Sequence, residues 1–135
     1  MSAAKRVPRS KVQAIEMIDA ALNLRASSSD PMTSARRFSL QRLRDRIASR
    51  GLTFTEGEKR EFCLMPVIFQ ELNYDDFDWS RRENRLGALD DMVEIDVVAW
   101  SGGFRRSEIS DSEYRRYWRH CLDVIDYRKE ASRRK

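Results

Sequence analysis

The 135-residue chain is 36% charged and 41% hydrophobic, with a formal net charge of +4. A chain of this length buries about two thirds of its unfolded surface, enough for one self-supporting core. No apolar run approaches the 18 or so residues a membrane span needs, two cysteines make no disulfide framework, and the first residues "MSAAKRVPRSK" lack the apolar stretch of a secretory signal, so a soluble protein of a reducing, cytoplasmic compartment is expected.

Few glycines and prolines and a high charged fraction favour helices over sheet. The helix-start pattern, Ser or Thr followed three residues later by Glu or Gln, occurs at Ser10/Gln13, Thr53/Glu56, Thr55/Glu58, Ser80/Glu83 and Ser110/Glu113. Asp30-Pro31 adds an N-cap with proline at the first helical position. The reading is all-α: a single-domain bundle of about five helices spanning 1–135, with short basic tails at about 1–8 and 131–135.

The first helix runs from about 11 to 26, with Val12, Ile15, Ile18 and Leu22 on one face. The second runs from 31 to 50, with Leu40, Leu43 and Ile47 as its stripe and Gly51 as its stop. The third starts near Glu56 and carries Phe62, Met65, Phe69 and Leu72. Pro66 lies inside it, so a kink or break is expected there. The fourth follows Ser80, with Leu86, Leu89, Val93, Val97 and Trp100 widened by Met92, Ile95 and Val98. So broad an apolar girth belongs at the centre of the bundle or against a second chain. Its stretch "MVEIDVVAW" also alternates as a strand would, but the longer period and the cap favour helix. The fifth runs from 111 to about 130, with Tyr114, Trp118, Cys121 and Ile125 on one face and Tyr117, Leu122 and Val124 beside them.

Charge is segmented: residues 1–60 are net basic, 61–100 net acidic and 101–135 net basic. The second helix concentrates Arg36, Arg37, Arg42, Arg44, Arg46 and Arg50 around its apolar stripe. With the basic tails these could hold the phosphates of a nucleic acid, which is the alternative reading. The other assignment pairs them with the acidic third and fourth helices, their long stems covering apolar surface. The acidic middle, which would repel a polyanion lying across the molecule, favours that pairing.

The stretch "NYDDFDWS" joins the third and fourth helices. It fails the calcium-loop pattern, because counting from Asp76 the sixth position is Arg81 and the twelfth Gly87. As structure, its acids suit a helix N-terminus and Trp79 staples the Ser80 cap. As function, Tyr74, Phe77 and Trp79 would anchor a partner protein while Asp75, Asp76 and Asp78 steer its basic surface, with Arg105 and Arg106 as a second rim. The glycine-rich "WSGGFRRSEISDSE" lacks the phosphate-loop pattern and reads as a turn.

Catalysis finds little footing. The single histidine, His120, falls on the polar side of the fifth helix, and adjacent Cys121 points elsewhere. A zinc site from Cys63, His120, Cys121 and a carboxylate matches no recognised spacing, and no metal or cofactor is expected. Glu94 and Asp96, or Asp90 and Asp91, would be the ligands of a magnesium-dependent enzyme, a further alternative, and Asp90 and Glu94 share a helix face at i and i+4. The expected function is non-enzymatic protein binding, as a regulator or adaptor, with a homodimer through the fourth or fifth helix as one assembly.

Overall fold

The computed structural model describes residues 7–26, 34–71 and 90–133, and among them there are helices and turns but no strand. The helices are α1 (Lys11–Ala26), α2 (Ser34–Arg50), α3 (Glu56–Glu61), α4 (Met65–Glu71), α5 (Asp90–Ser101) and α6 (Asp111–Arg133), with a 3-10 turn at Arg106–Glu108 before α6. No described helix is long and apolar enough to cross a membrane. The all-α bundle read from the sequence is the fold, with the expected third helix divided into α3 and α4.

Three of the five helix-start pairs close. Ser10 and Gln13 exchange hydrogen bonds at 3.3 and 3.0 Å ahead of α1. Thr55 and Glu58 do so at 3.1 Å each way at α3. Ser110 and Glu113 do so at 3.1 and 3.0 Å at α6. Each box satisfies two backbone donors that the first helical turn leaves without intrahelical partners. Thr53/Glu56 overlaps the Thr55 pair and yields to it. Ser80/Glu83 and Asp30-Pro31 lie outside the described residues. At the other end of α2, Gly51 takes a φ of 76° and its N–H reaches the Ile47 carbonyl at 2.7 Å, the left-handed stop that glycine adopts without steric cost.

The break between α3 and α4 falls at Phe62–Leu64, with Pro66 in the first turn of α4. A proline ring collides with the carbonyl four residues back, here that of Phe62, and its missing N–H matters least in a first turn. The helix therefore ends before the proline and restarts around it.

α5 is the centre of the bundle. Met92, Val93, Ile95, Val97, Val98 and Ala99 are all buried, so nearly its whole girth is enclosed. α1 packs on α2 and α5, and α4 packs on α2, α5 and α6. Burial of each large aliphatic side chain here contributes about 1.5–3 kcal/mol. α1 turns slightly from its expected stripe. Ala14, Ile18, Ala21 and Leu22 face the core, whereas Val12 is 57% exposed.

Candidate functional site

Two polar regions stand out, one inside the bundle and one on its surface. The inner one centres on Asp96, which is only 3% exposed. The break after α3 strands the Leu64 N–H at the start of α4, and Asp96 accepts it at 3.0 Å from across the core. Tyr117 of α6 donates its hydroxyl to the other carboxylate oxygen. The Cys63 thiol lies 3.6 Å from that same oxygen. Cys121, one turn beyond Tyr117, completes the group: the ligating atoms of Cys63, Asp96 and Cys121 all lie within 4.8 Å of one another.

The environment favours the neutral form of each of these groups. Burial pushes the Asp96 carboxyl above its ordinary value, against the lowering pull of the Tyr117 hydroxyl and the Leu64 N–H. Burial, then the charge of Asp96, lifts the Tyr117 phenol well above its usual range. Burial, then the neighbouring Cys63, does the same to Cys121. At Cys63 the hydrogen bond with Cys121 pulls downward, but burial and the Asp96 charge overcome it and the thiol is raised. A small cavity of about 10 Å³ reaches Asp96, walled by Phe54, Phe62, Trp100 and His120. His120 is thus half-buried beside this cavity rather than out on a solvated face.

Asp96 and the two cysteines are the residues that sequence reasoning placed wrongly or apart. Asp96, a candidate magnesium ligand on the sequence reading, is interior. Its signal was available: a lone carboxylate in an otherwise apolar stretch of a helix buried on all sides needs partners. Of the other acids of the fourth helix, Glu94 is occupied by the 3-10 turn, accepting the Arg106 N–H at 3.2 Å and lying 3.5 Å from the Arg105 guanidinium. Asp91 accepts the N–H of Met92 at 2.9 Å.

The outer region is the arginine-rich α2. Arg46 points inward and is fully engaged. It makes a paired contact with Glu58 at 2.7 and 3.2 Å, donates to the carbonyls of Gly51 and Thr53 at 2.8 and 2.7 Å, and stacks 4.1 Å over the Phe54 ring. Arg50 joins Glu58 at 3.0 Å. With Arg46 the largest influence and the Thr55 N–H next, Glu58 is held down at about 2. Arg44 grips Asp19 of α1 with two hydrogen bonds of 2.7 and 3.2 Å, which lowers Asp19 and raises Arg44. Arg36 is buried and Arg37 half-buried. Among the described residues, the carboxylates that meet Arg42, Arg44, Arg46 and Arg50 belong to α1 and α3, so the expected pairing with the third helix is present and α1 adds a partner.

Arg42 remains outside. It lies 3.3 Å from Glu61, with its guanidinium 5.9 Å from the Phe38 ring and 5.1 Å from the Phe62 ring. Glu61 carries the surface onward, since its carbonyl accepts from Arg128 of α6 at 3.1 Å, and nearby Arg60 stacks 4.7 Å over Tyr127. Phe38 is 64% exposed and Tyr127 56%. Of the expected partner contacts, Arg105 is exposed and Arg106 half-buried, while Tyr74, Asp75, Asp76, Phe77, Asp78 and Trp79 lie outside the described residues. The Gly102-Gly103 turn offers no open cradle. Gly103 has a φ of 118°, its carbonyl accepts the Arg9 N–H at 3.0 Å, and a Cβ there would sit 2.9 Å from Arg9 N and Pro8 Cβ.

Compared with protein-family models, curated proteins and solved structures, the chain finds no match.

Proposed function

We propose that the protein is a non-enzymatic helical module that acts by binding another protein, through the face where α2, α3 and α6 meet. The observation that carries this reading is the pair of exposed rings, Phe38 and Tyr127, each set beside a guanidinium, Arg42 and Arg60. Aromatic and arginine side chains supply most of the energy at protein interfaces, because they bury large area and bond through planar groups. A face of aromatic rings beside guanidiniums, mixed in charge, fits a segment bearing apolar side chains and a carboxylate that would displace the exposed Arg42–Glu61 contact at little cost. The acidic-aromatic stretch Tyr74–Trp79, with Arg105 and Arg106 as a rim, is retained as a second proposed contact on composition alone.

The nucleic-acid alternative gains no support from α2. Arg44, Arg46 and Arg50 are committed to carboxylates of this chain, and phosphate contacts would have to break those pairs.

The test compares wild type with a Phe38→Ser/Tyr127→Ser double variant. Both are used as bait after their helical circular dichroism is shown to match, and bound chains are mapped by cross-linking. Cross-links from a partner that centre on α2, α3 and α6, with capture falling at least tenfold in the variant, are expected. Undiminished capture, or cross-links clustered elsewhere, would remove this face from the proposal.

A further inference from the structure

The buried cluster between α4, α5 and α6 holds more than the sealing of the Leu64 N–H by Asp96 calls for, since two thiols meet the same carboxylate. A core position filled by Val or Leu carries no desolvation cost, whereas this one holds a carboxyl and two thiols. They converge from three separate places: Cys63 from the α3–α4 break, Asp96 from α5 and Cys121 from α6. We infer that Cys63, Asp96 and Cys121 form a binding site for one thiophilic divalent cation, zinc being the natural occupant.

The distances are those of a site that needs only small adjustment. With zinc–sulfur bonds of about 2.3 Å and zinc–oxygen bonds of about 2.0 Å, the sulfur–oxygen edge of a tetrahedral site is about 3.5 Å. Cys63 Sγ and Asp96 Oδ2 lie 3.6 Å apart. The full set spans no more than 4.8 Å, so the widest edge closes by at most about 1.3 Å on binding. Thiolates select zinc and similar borderline-soft ions, whereas magnesium prefers an all-oxygen shell, so the magnesium chemistry considered for the fourth helix is not what these residues offer.

The surroundings supply the rest. Tyr117 and the Leu64 N–H already hold the carboxylate in place, the outer hydrogen bonding that fixes a ligand's orientation. The cavity of about 10 Å³ beside Asp96 holds roughly one water, which would fill the fourth position. It is walled by α3, α5 and α6 residues, Lys59, Trp100 and His120 among them, and meets the cluster at Asp96. Binding exchanges protons for the cation: each thiol, and the Asp96 carboxyl wherever it holds a proton, releases that proton to solvent as it bonds the metal, and no electron is transferred.

The chain has two cysteines and one histidine, which makes the test clean. The full chain is stripped with chelator, kept reduced with a phosphine, and titrated with cobalt(II), a coloured stand-in for zinc. One equivalent should bring up a thiolate-to-cobalt charge-transfer band, and one equivalent of zinc should abolish it. Only Cys63 and Cys121 can produce that band. Asp96→Asn, which keeps the volume and an acceptor for Leu64, should weaken zinc at least tenfold and remove the zinc-dependent rise in Tm. A wild-type chain with both thiols free that shows no band at a large excess of cobalt would overturn the site. So would an Asp96→Asn variant that binds zinc as tightly as wild type.

Discussion

The two polar centres of this bundle solve the same problem with opposite electrostatics. At the end of α2, Arg46 gathers two stranded carbonyls, those of Gly51 and Thr53, and balances its charge against Glu58. At the start of α4, Asp96 gathers a stranded N–H and, among the described residues, its side-chain hydrogen-bond donors are neutral, a phenol and a thiol. The first is a compensated charge, so its carboxylate is held down at about 2. The second is a buried acid, and burial outweighs its hydrogen bonds, so its carboxyl is pushed up. The lesson is that a break in a helix can be sealed by either sign, but a site sealed by neutral donors has capacity left for a cation.

The comparison can be broken most forcefully at Arg46. Arg46→Ala leaves Glu58 and two carbonyls without their partner, and should cost about 3 kcal/mol in urea unfolding. A loss under about 1 kcal/mol would mean that water replaces the guanidinium freely.

It can be sharpened by pH. Folded Glu58 stays ionised down to about 2, against 4.5 for the ordinary group, so its contribution is whole above 4.5 and drains as pH falls toward 2. Asp96 runs the other way. Its folded carboxyl keeps the proton above the ordinary 3.8, so its contribution is whole below 3.8 and is lost as pH rises through the raised value. Unfolding free energies measured across this range should show a shallower acid limb for Glu58→Gln. For Asp96→Asn the fall in stability with rising pH should be smaller than in wild type. Identical profiles for both variants would remove the distinction.

Smaller effects probe each centre's edges. Tyr117→Phe keeps the ring against Trp100, 5.5 Å away, and deletes one hydrogen bond to Asp96, for a loss of about 1 kcal/mol in chemical unfolding. Arg44→Gln removes the half-exposed pair with Asp19 and should leave the urea midpoint nearly unchanged, because solvent screens an exposed pair.

What was legible in the sequence was local. The caps at Ser10, Thr55 and Ser110 involve residues three apart, and the stripe Leu40, Leu43, Ile47 follows from one helical period. The central place of α5 followed from its apolar girth, and the break before Pro66 from steric conflict within one turn. What was not legible was long-range. Asp96 serves Leu64, 32 positions away, and Tyr117, 21 away, and no spacing rule links them. Cys63 and Cys121 likewise meet only because α4 and α6 both flank α5. The arginines of α2 were visible as a group, but whether each faced Asp19, Glu58 or solvent depended on how α1 and α3 dock.

The central claim is that α2 commits its arginines to the fold, leaving a face for protein rather than phosphate. Fluorescence anisotropy with labelled mixed-sequence DNA and RNA, at about 50 mM and about 200 mM salt, tests it most directly. The account predicts at most weak binding that Arg42→Gln/Arg46→Gln/Arg50→Gln leaves unchanged. Tight binding that falls steeply with salt, and whose slope flattens in that triple variant, would contradict it.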